Sequence, residues 1–304
     1  MSAADNTDFN TTGNSVWNQQ FMDHLTENFF PTVDPGPLPD ESVKFLDDYP
    51  AWIVTSKLNS FTGLEKFPYR FVSLGTTQAI DWWHYYVMST GQRLRMFRGE
   101  YPYTRDALLE GGWTHDRFIG DRPLARGDAV TISMPFSGSG RKHEQWDKLM
   151  STCNELKIPV FVDCAWFGTC HDITVDLSEP CIQMVAFSTT KGLSCGNWRS
   201  GIAFSRLNEG SLSVQTEWKH GIHLNVAIAR SLMSAFGPDT IAKKYLDSHT
   251  AVCKHYGLET TNTVHIAQAP LTAEWERFSR DGVYNRVNIA KAIKLHKSKG
   301  RFTE

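Results

Sequence analysis

The chain has 304 residues, enough for about two domains at ~150 residues each, and its 31 Lys and Arg nearly balance 33 Asp and Glu for a net charge of −2. Hydrophobic residues at 41% and charged residues at 21% permit a sizeable core and exclude wholesale disorder, small disulfide scaffolds and collagen-like polymers. So balanced a charge sets up no field to hold a polyanion, which argues against nucleic acid or an anionic membrane as partner and for a small molecule.

Met1 to Ser15 are rich in Asn, Thr, Asp and Ser and read as a flexible tail, or as an arm that orders only on a partner. Met1 to Gln20 lack the basic-then-apolar order of a signal peptide, and no run reaches the ~18 apolar residues of a membrane span. Cys153, Cys164, Cys170, Cys181, Cys195 and Cys253 form no CxxC pair, and no HExxH occurs, so reduced thiols in a cytoplasmic setting and no metal site are expected. Phe30 to Asp40, with Pro31, Pro35, Pro37 and Pro39, reads as an extended connector.

Apolar blocks then alternate. Tyr69 to Leu74 reads as a strand, and Gln78 to Met88 as a helix whose Trp82, Trp83, Tyr85 and Tyr86 are taken as packing residues. Ala129 to Met134 is a strand, His143 to Leu156 a helix and Ile158 to Val162 a strand. Ile182 to Ser188 and Gly201 to Phe204 are further strands. This alternation predicts an α/β domain with a mostly parallel sheet flanked by helices. The rhythm breaks at Phe236-Gly237-Pro238, and a helix over Thr240 to His255 opens a small α+β C-terminal domain. The expected division is a tail and arm over 1–50, a large α/β domain over 51–238 and a small domain over 239–304.

Open α/β sheets bind ligands beyond the carboxyl ends of their strands, so residues that directly follow strands carry the functional reading. Four such places stand out. Gly75-Thr76-Thr77-Gln78 offers backbone N–H groups, hydroxyls and a helix N-terminus to an anion, although alone it is more often a helix cap with a tight turn. Asp163 follows an apolar strand and needs a cationic partner there, or serves as a cap. Lys191, after Ser188-Thr189-Thr190 and before Gly192, can be an amine made nucleophilic by burial and neighbouring cations, although taken alone a solvated loop lysine is the commoner case. Arg199, in Gly196-Asn197-Trp198-Arg199-Ser200-Gly201, suits bidentate recognition of a phosphate, or considered singly is a surface arginine beside an edge strand.

Taken in this order, the segments Gly75-Thr76-Thr77, Asp163-Cys164-Ala165-Trp166, Ser188-Thr189-Thr190-Lys191 and Asn197-Trp198-Arg199-Ser200-Gly201 resemble the motifs of the fold type I pyridoxal-phosphate enzymes, in particular the aspartate-aminotransferase-like class I/II aminotransferases. The resemblance covers Tyr69 to Phe204 and is thin elsewhere. It implies pyridoxal 5'-phosphate as cofactor, carried by Lys191 as a Schiff base. It also implies a pyridinium partner in Asp163 and a phosphate site of Gly75, Thr76, Thr77, Ser188 and Arg199. Tyr101 is the ring-stacking residue by the same resemblance, with Tyr103 second, and Arg286 binds the substrate carboxylate.

Two positions depart from the pattern. Trp166 stands where the family has a tyrosine, and Ser137, in Ser133-Met134-Pro135-Phe136-Ser137, where it has an asparagine; both face the cofactor's phenolic oxygen in that family. The resemblance implies an aminotransferase that converts an amino acid to a 2-oxo acid and works as a homodimer. The departures leave two alternatives open: a lyase, decarboxylase or cyclase of the same cofactor class, and an inactive cofactor-binding regulator.

Overall fold

The computed structural model describes residues 3–34, 39–109, 117–219 and 222–299. In chain order the helices are α1 (Gln19–His24), α2 (Ser42–Ile53), α3 (Thr76–Ser89), α4 (Pro102–Leu109), α5 (Trp146–Leu156), α6 (Thr189–Gly192), α7 (Gly210–Glu217), α8 (His223–Ala235), α9 (Thr240–Tyr256) and α10 (Ala290–Lys299). The strands are β1 (Asn59–Thr62), β2 (Tyr69–Ser73), β3 (Arg93–Arg95), β4 (Asp128–Ser133), β5 (Val160–Cys164), β6 (Ile173–Asp176), β7 (Ile182–Ser188), β8 (Gly201–Ser205), β9 (Glu259–Thr260), β10 (Ile266–Ala269), β11 (Ser279–Arg280) and β12 (Tyr284–Asn288).

Six strands form the central sheet in the order β2-β8-β7-β5-β4-β3. β3, β4, β5 and β7 are parallel, while β8 runs antiparallel to both β7 and β2. Every residue of β4, β5 and β8 is buried, which explains why these strands read as continuous runs rather than as alternating ones. α3 covers one face: Trp83 is fully buried and stacks on Phe161 of β5 at 5.9 Å, so the packing reading of Trp82 and Trp83 holds, whereas Tyr85 is exposed. A second sheet, β11-β12-β10-β9, is antiparallel throughout and draws on residues 259–288. β1 and β6 form a separate parallel pair.

The topology decides where the functional segments fall. β2, β4, β5 and β7 point the same way, so Ser73, Ser133, Cys164 and Ser188 end on one edge of the sheet. Because β8 is reversed, its first residue, Gly201, pairs with both Ser73 and Ser188, and Arg199 just before it lies at that same edge.

The N-terminal segment differs from the flexible tail expected. Phe9 is buried edge-on against Tyr256 at 4.9 Å, and Asn10 and Asn288 exchange backbone hydrogen bonds of 3.2 and 2.8 Å. The Asn288 side-chain amide also donates to the carbonyls of Thr12 and Asn14. Few apolar residues are needed, because the arm is held mainly by its backbone polar groups. Phe30 to Asp40 is also not uniformly extended: Phe30–Thr32 is a 3-10 turn that tolerates Pro31 near its start, while Pro35 and Pro37 lie outside the described residues. No helix among the described residues is long and apolar enough to cross a membrane, and the six cysteines are buried and unpaired.

Candidate active site

Beyond the shared edge of the central sheet lies a cavity of about 340 Å³. Lys191, Asp163, Ser188, Arg199, Thr76 and Thr77 line it, as do Tyr101, Ser137, Trp166 and Arg286. Gly75 stands beside it as the residue that caps α3. Thus the structure brings together every residue singled out from the sequence except Tyr103, whose hydroxyl donates to Asp81 on α3 at 2.6 Å.

Lys191 sits on α6, one turn beyond the end of β7, and that turn is capped by the Ser188 hydroxyl accepting from the Thr190 N–H. Among the described residues no hydrogen bond or ion pair engages its amine. Burial and the Arg199 guanidinium lower its pKa from 10.5 to about 8, against the pull of Asp163. The neutral amine, the form that attacks a carbonyl, is therefore enriched roughly three-hundredfold near pH 7.

Asp163 lies in β5, paired with Ser133 of β4 and Ala186 of β7, and is 4% exposed. Its Oδ1 accepts from the Ala165 N–H at 2.9 Å. Burial pushes the carboxyl up to about 6, while the Ala165 N–H, the Thr76 hydroxyl and Lys191 hold it down. No ion pair to it exists among the described residues, so this carboxylate is buried without a directly bound cation.

On the other side, Arg199 donates from Nε to the Leu74 carbonyl at 3.2 Å and from Nη2 to the Thr77 hydroxyl at 2.9 Å. Gly75, at φ +85°, leaves a hollow here: a Cβ would lie 2.9 Å from Ser188 Oγ and 3.4 Å from Arg199 Nη2. A guanidinium, two hydroxyls and the N-terminus of the 14-residue α3 converge on this hollow, an arrangement that could hold an anion such as phosphate.

Arg286, on β12, is 2% exposed. Its Nη1 donates to the Ser137 carbonyl and hydroxyl at 3.1 and 3.2 Å, and its guanidinium stands 5.5 Å from the Trp166 ring centre. Burial and the nearby Arg280 lower its pKa to about 9.

Sequence reasoning missed several cavity residues. Arg280 and the arm residues Thr11 to Asn14 line the cavity, yet no motif marks them. Behind Tyr101, the buried Glu100 accepts from the Tyr101 N–H, the Ser133 N–H and the Ser133 hydroxyl, and burial pushes its carboxyl up to about 7.

No protein-family model and no curated protein matches the chain. Solved structures do match. The broad specificity aminotransferase from Leishmania mexicana superposes with a TM-score of 0.64 at 13% identity, over 97% of this chain and 92% of that one. The chain has the fold of the fold type I pyridoxal-phosphate enzymes. A PLP-bound C-S lyase from Staphylococcus hominis gives a TM-score of 0.64 at 10% identity, over 92% of this chain and 87% of that one. L-threonine-O-3-phosphate decarboxylase from Porphyromonas gingivalis gives 0.55 at 14% identity, over 85% and 84% respectively. One fold type I scaffold thus carries amino transfer, C–S cleavage and decarboxylation in these three proteins, so the fold alone does not choose the reaction.

Proposed function

We propose that the protein is a pyridoxal-phosphate-dependent enzyme acting on an amino acid, and that it is an aminotransferase yielding the 2-oxo acid. The observation that carries this reading is one cavity in which an unpartnered lysine amine and a buried, ion-pair-free carboxylate meet an anion hollow. Each matches one part of the cofactor: aldehyde, ring nitrogen and phosphate.

When bound, pyridoxal phosphate supplies an aldehyde that condenses with amines and a ring that takes up the electron pair left at a substrate Cα. Arg199, Ser188 and the Gly75 to Thr77 turn would hold the phosphate. Asp163 would keep the ring nitrogen protonated, and Tyr101 would cover the ring. Arg286 presents its fork to the substrate α-carboxylate. Lys191 would take the proton from the substrate Cα as a general base, its lowered pKa suiting it to that work near neutral pH.

Trp166 and Ser137 favour a second reading, a lyase, decarboxylase or cyclase. An indole N–H only donates and cannot ionise, and the Ser137 hydroxyl already accepts from Arg286, so the cofactor's phenolic oxygen has a changed set of partners. Incubating the cofactor-loaded protein with each of the twenty amino acids and a 2-oxo acid acceptor, with products identified by mass, separates the two. Amino transfer yields a 2-oxo acid with the intact carbon skeleton. Loss of carbon dioxide or of a side-chain group supports the second reading, and an absence of any product overturns both.

A further inference from the structure

Glu100 is a buried acid that the proposed chemistry leaves unassigned. It stands on the turn between β3 and α4, next to Tyr101, and is 5% exposed. β3 stops at Arg95, opposite Val130, whereas β4 runs on to Ser133. On the side away from β5 the Ser133 N–H therefore has no strand beside it, and Glu100 Oε2 accepts it at 2.8 Å. Oε1 accepts from the Tyr101 N–H at 2.7 Å and from the Ser133 hydroxyl at 2.5 Å. Ser133 Oγ in turn accepts from the Ser137 N–H at 2.7 Å, which leaves its own proton for Glu100. One carboxylate thus clips the turn that carries Tyr101 to the end of β4.

Among the described residues no cation pairs with it: Arg98 goes to Asp121, and Arg105 to Asp106 and Asp281. Tyr103 turns to Asp81, and burial lowers the pKa of His143, stacked on Phe97 of the same turn, and so disfavours its charged form. The charge that acts on Glu100 is that of Asp163, which pairs with Ser133 across the sheet. Burial, with Asp163, pushes the Glu100 carboxyl up to about 7 against its hydrogen bonds. An ionised carboxylate is the stronger acceptor, and protonation would turn one of its oxygens into a donor among donors.

We propose that Glu100 is a positioning residue, whose carboxylate fixes Tyr101 over the cofactor ring by clipping it to the end of β4. The inference rests on the proposed function, which lays Tyr101 over that ring. Glu100 is not among the residues that line the cavity, so its effect reaches the ring through Tyr101. The grip is present above the carboxyl's midpoint near 7 and is lost as the pH falls through it.

Pyridoxamine 5'-phosphate, which has the ring and the phosphate but no aldehyde, tests this without a bond to Lys191. Its dissociation constant is measured by calorimetric titration of the cofactor-free full chain from pH 5.5 to 8.5, for the unaltered protein and for E100Q. The ratio of the two affinities cancels the titration of the ligand itself. It should be about tenfold at pH 8.5, the weight of one hydrogen bond to a charged group, and fall below about twofold at pH 5.5. In a Y101A background E100Q should cost less than about twofold throughout, since the residue it positions is gone. E100D keeps the charge but is one methylene too short to hold both Tyr101 and Ser133, so at pH 8.5 it should bind as weakly as E100Q. A ratio independent of pH overturns the proposal, and so does an E100Q loss that persists in full in Y101A. An E100D protein that binds like the unaltered one also overturns it, because charge alone would then suffice. If E100Q does not fold, E100D decides: weakened binding supports the clip and unchanged binding overturns it. No binding of the probe to the unaltered protein defeats the proposed function and this proposal with it, whereas binding that ignores Glu100 defeats this proposal alone.

Discussion

A lysine amine works as a nucleophile only when uncharged, so the environment of Lys191 matters more than its identity. Burial and Arg199 together bring its pKa to about 8, and the charged form is the one they disfavour. The rate of cofactor attachment should therefore rise with pH along a curve with its midpoint near 8, well below the 10.5 of a solvated lysine. R199M removes a cation that lowers this pKa and should move the midpoint upward. The comparison is cleanest with pyridoxal, which has no phosphate for Arg199 to hold. A midpoint that stays near 10 in the unaltered protein, or an R199M curve shifted downward, would contradict this account of the site. Sequence context alone placed Lys191 after a strand and hydroxyls, but the size of its shift was not legible. It depends on Arg199 and Asp163 arriving from β8 and β5, a tertiary event.

At the scale of elements, β8 does most to assemble the site. Its reversal brings the residues before Gly201 to the edge where β2, β5 and β7 end. Gly201 is what lets these strands close: a Cβ there would lie 2.3 Å from the Phe187 carbonyl oxygen and 2.8 Å from the Gly75 Cα. Both are backbone atoms that cannot swing aside. G201A should therefore lower the unfolding free energy by at least about 1–3 kcal/mol in a denaturant titration, as overpacking against fixed atoms does. It should also weaken cofactor retention, because the hollow at Gly75 is displaced. Unchanged stability would show that the close approach is relieved at no cost.

The strands of the central sheet were legible because burial on both faces leaves uncharged runs, and β7 falls on Ile182 to Ser188 as read from the sequence. Boundaries moved where local chemistry intervened. The helix expected from His143 starts at Trp146, because His143 stacks on Phe97 at 3.9 Å and accepts from the Gln145 N–H in a tight turn. The strand expected from Ile158 starts at Val160, after Pro159, which has no N–H to pair. The N-terminal arm and Arg280 were not legible, since their partners lie some 270 residues apart in the chain and the contacts run through backbone carbonyls such as that of Thr11.

For the whole molecule, the packing of the arm on β12 removes one reason to expect a partner subunit, because the arm finds its contacts within its own chain. The proposal of a homodimer now rests on the fold type I scaffold, and two-fold closure is the commonest way to complete such an assembly. Light scattering at micromolar concentration should give roughly twice the chain mass of 34.4 kDa for the cofactor-loaded species. A loaded, active species at the monomer mass would contradict it. The proposed division into a cofactor domain over 51–238 and a small domain over 239–304 assigns Lys191, Asp163 and Arg199 to one and Arg280 and Arg286 to the other. Cofactor attachment and carboxylate binding would then be separable by mutation.

The central claim is that Lys191 carries the cofactor, and covalent trapping tests it most directly. Incubation with pyridoxal phosphate, reduction with borohydride and peptide mapping should place one cofactor equivalent on the peptide containing Lys191, and K191A should trap none. Label on another lysine, or label that persists in K191A, would contradict the account.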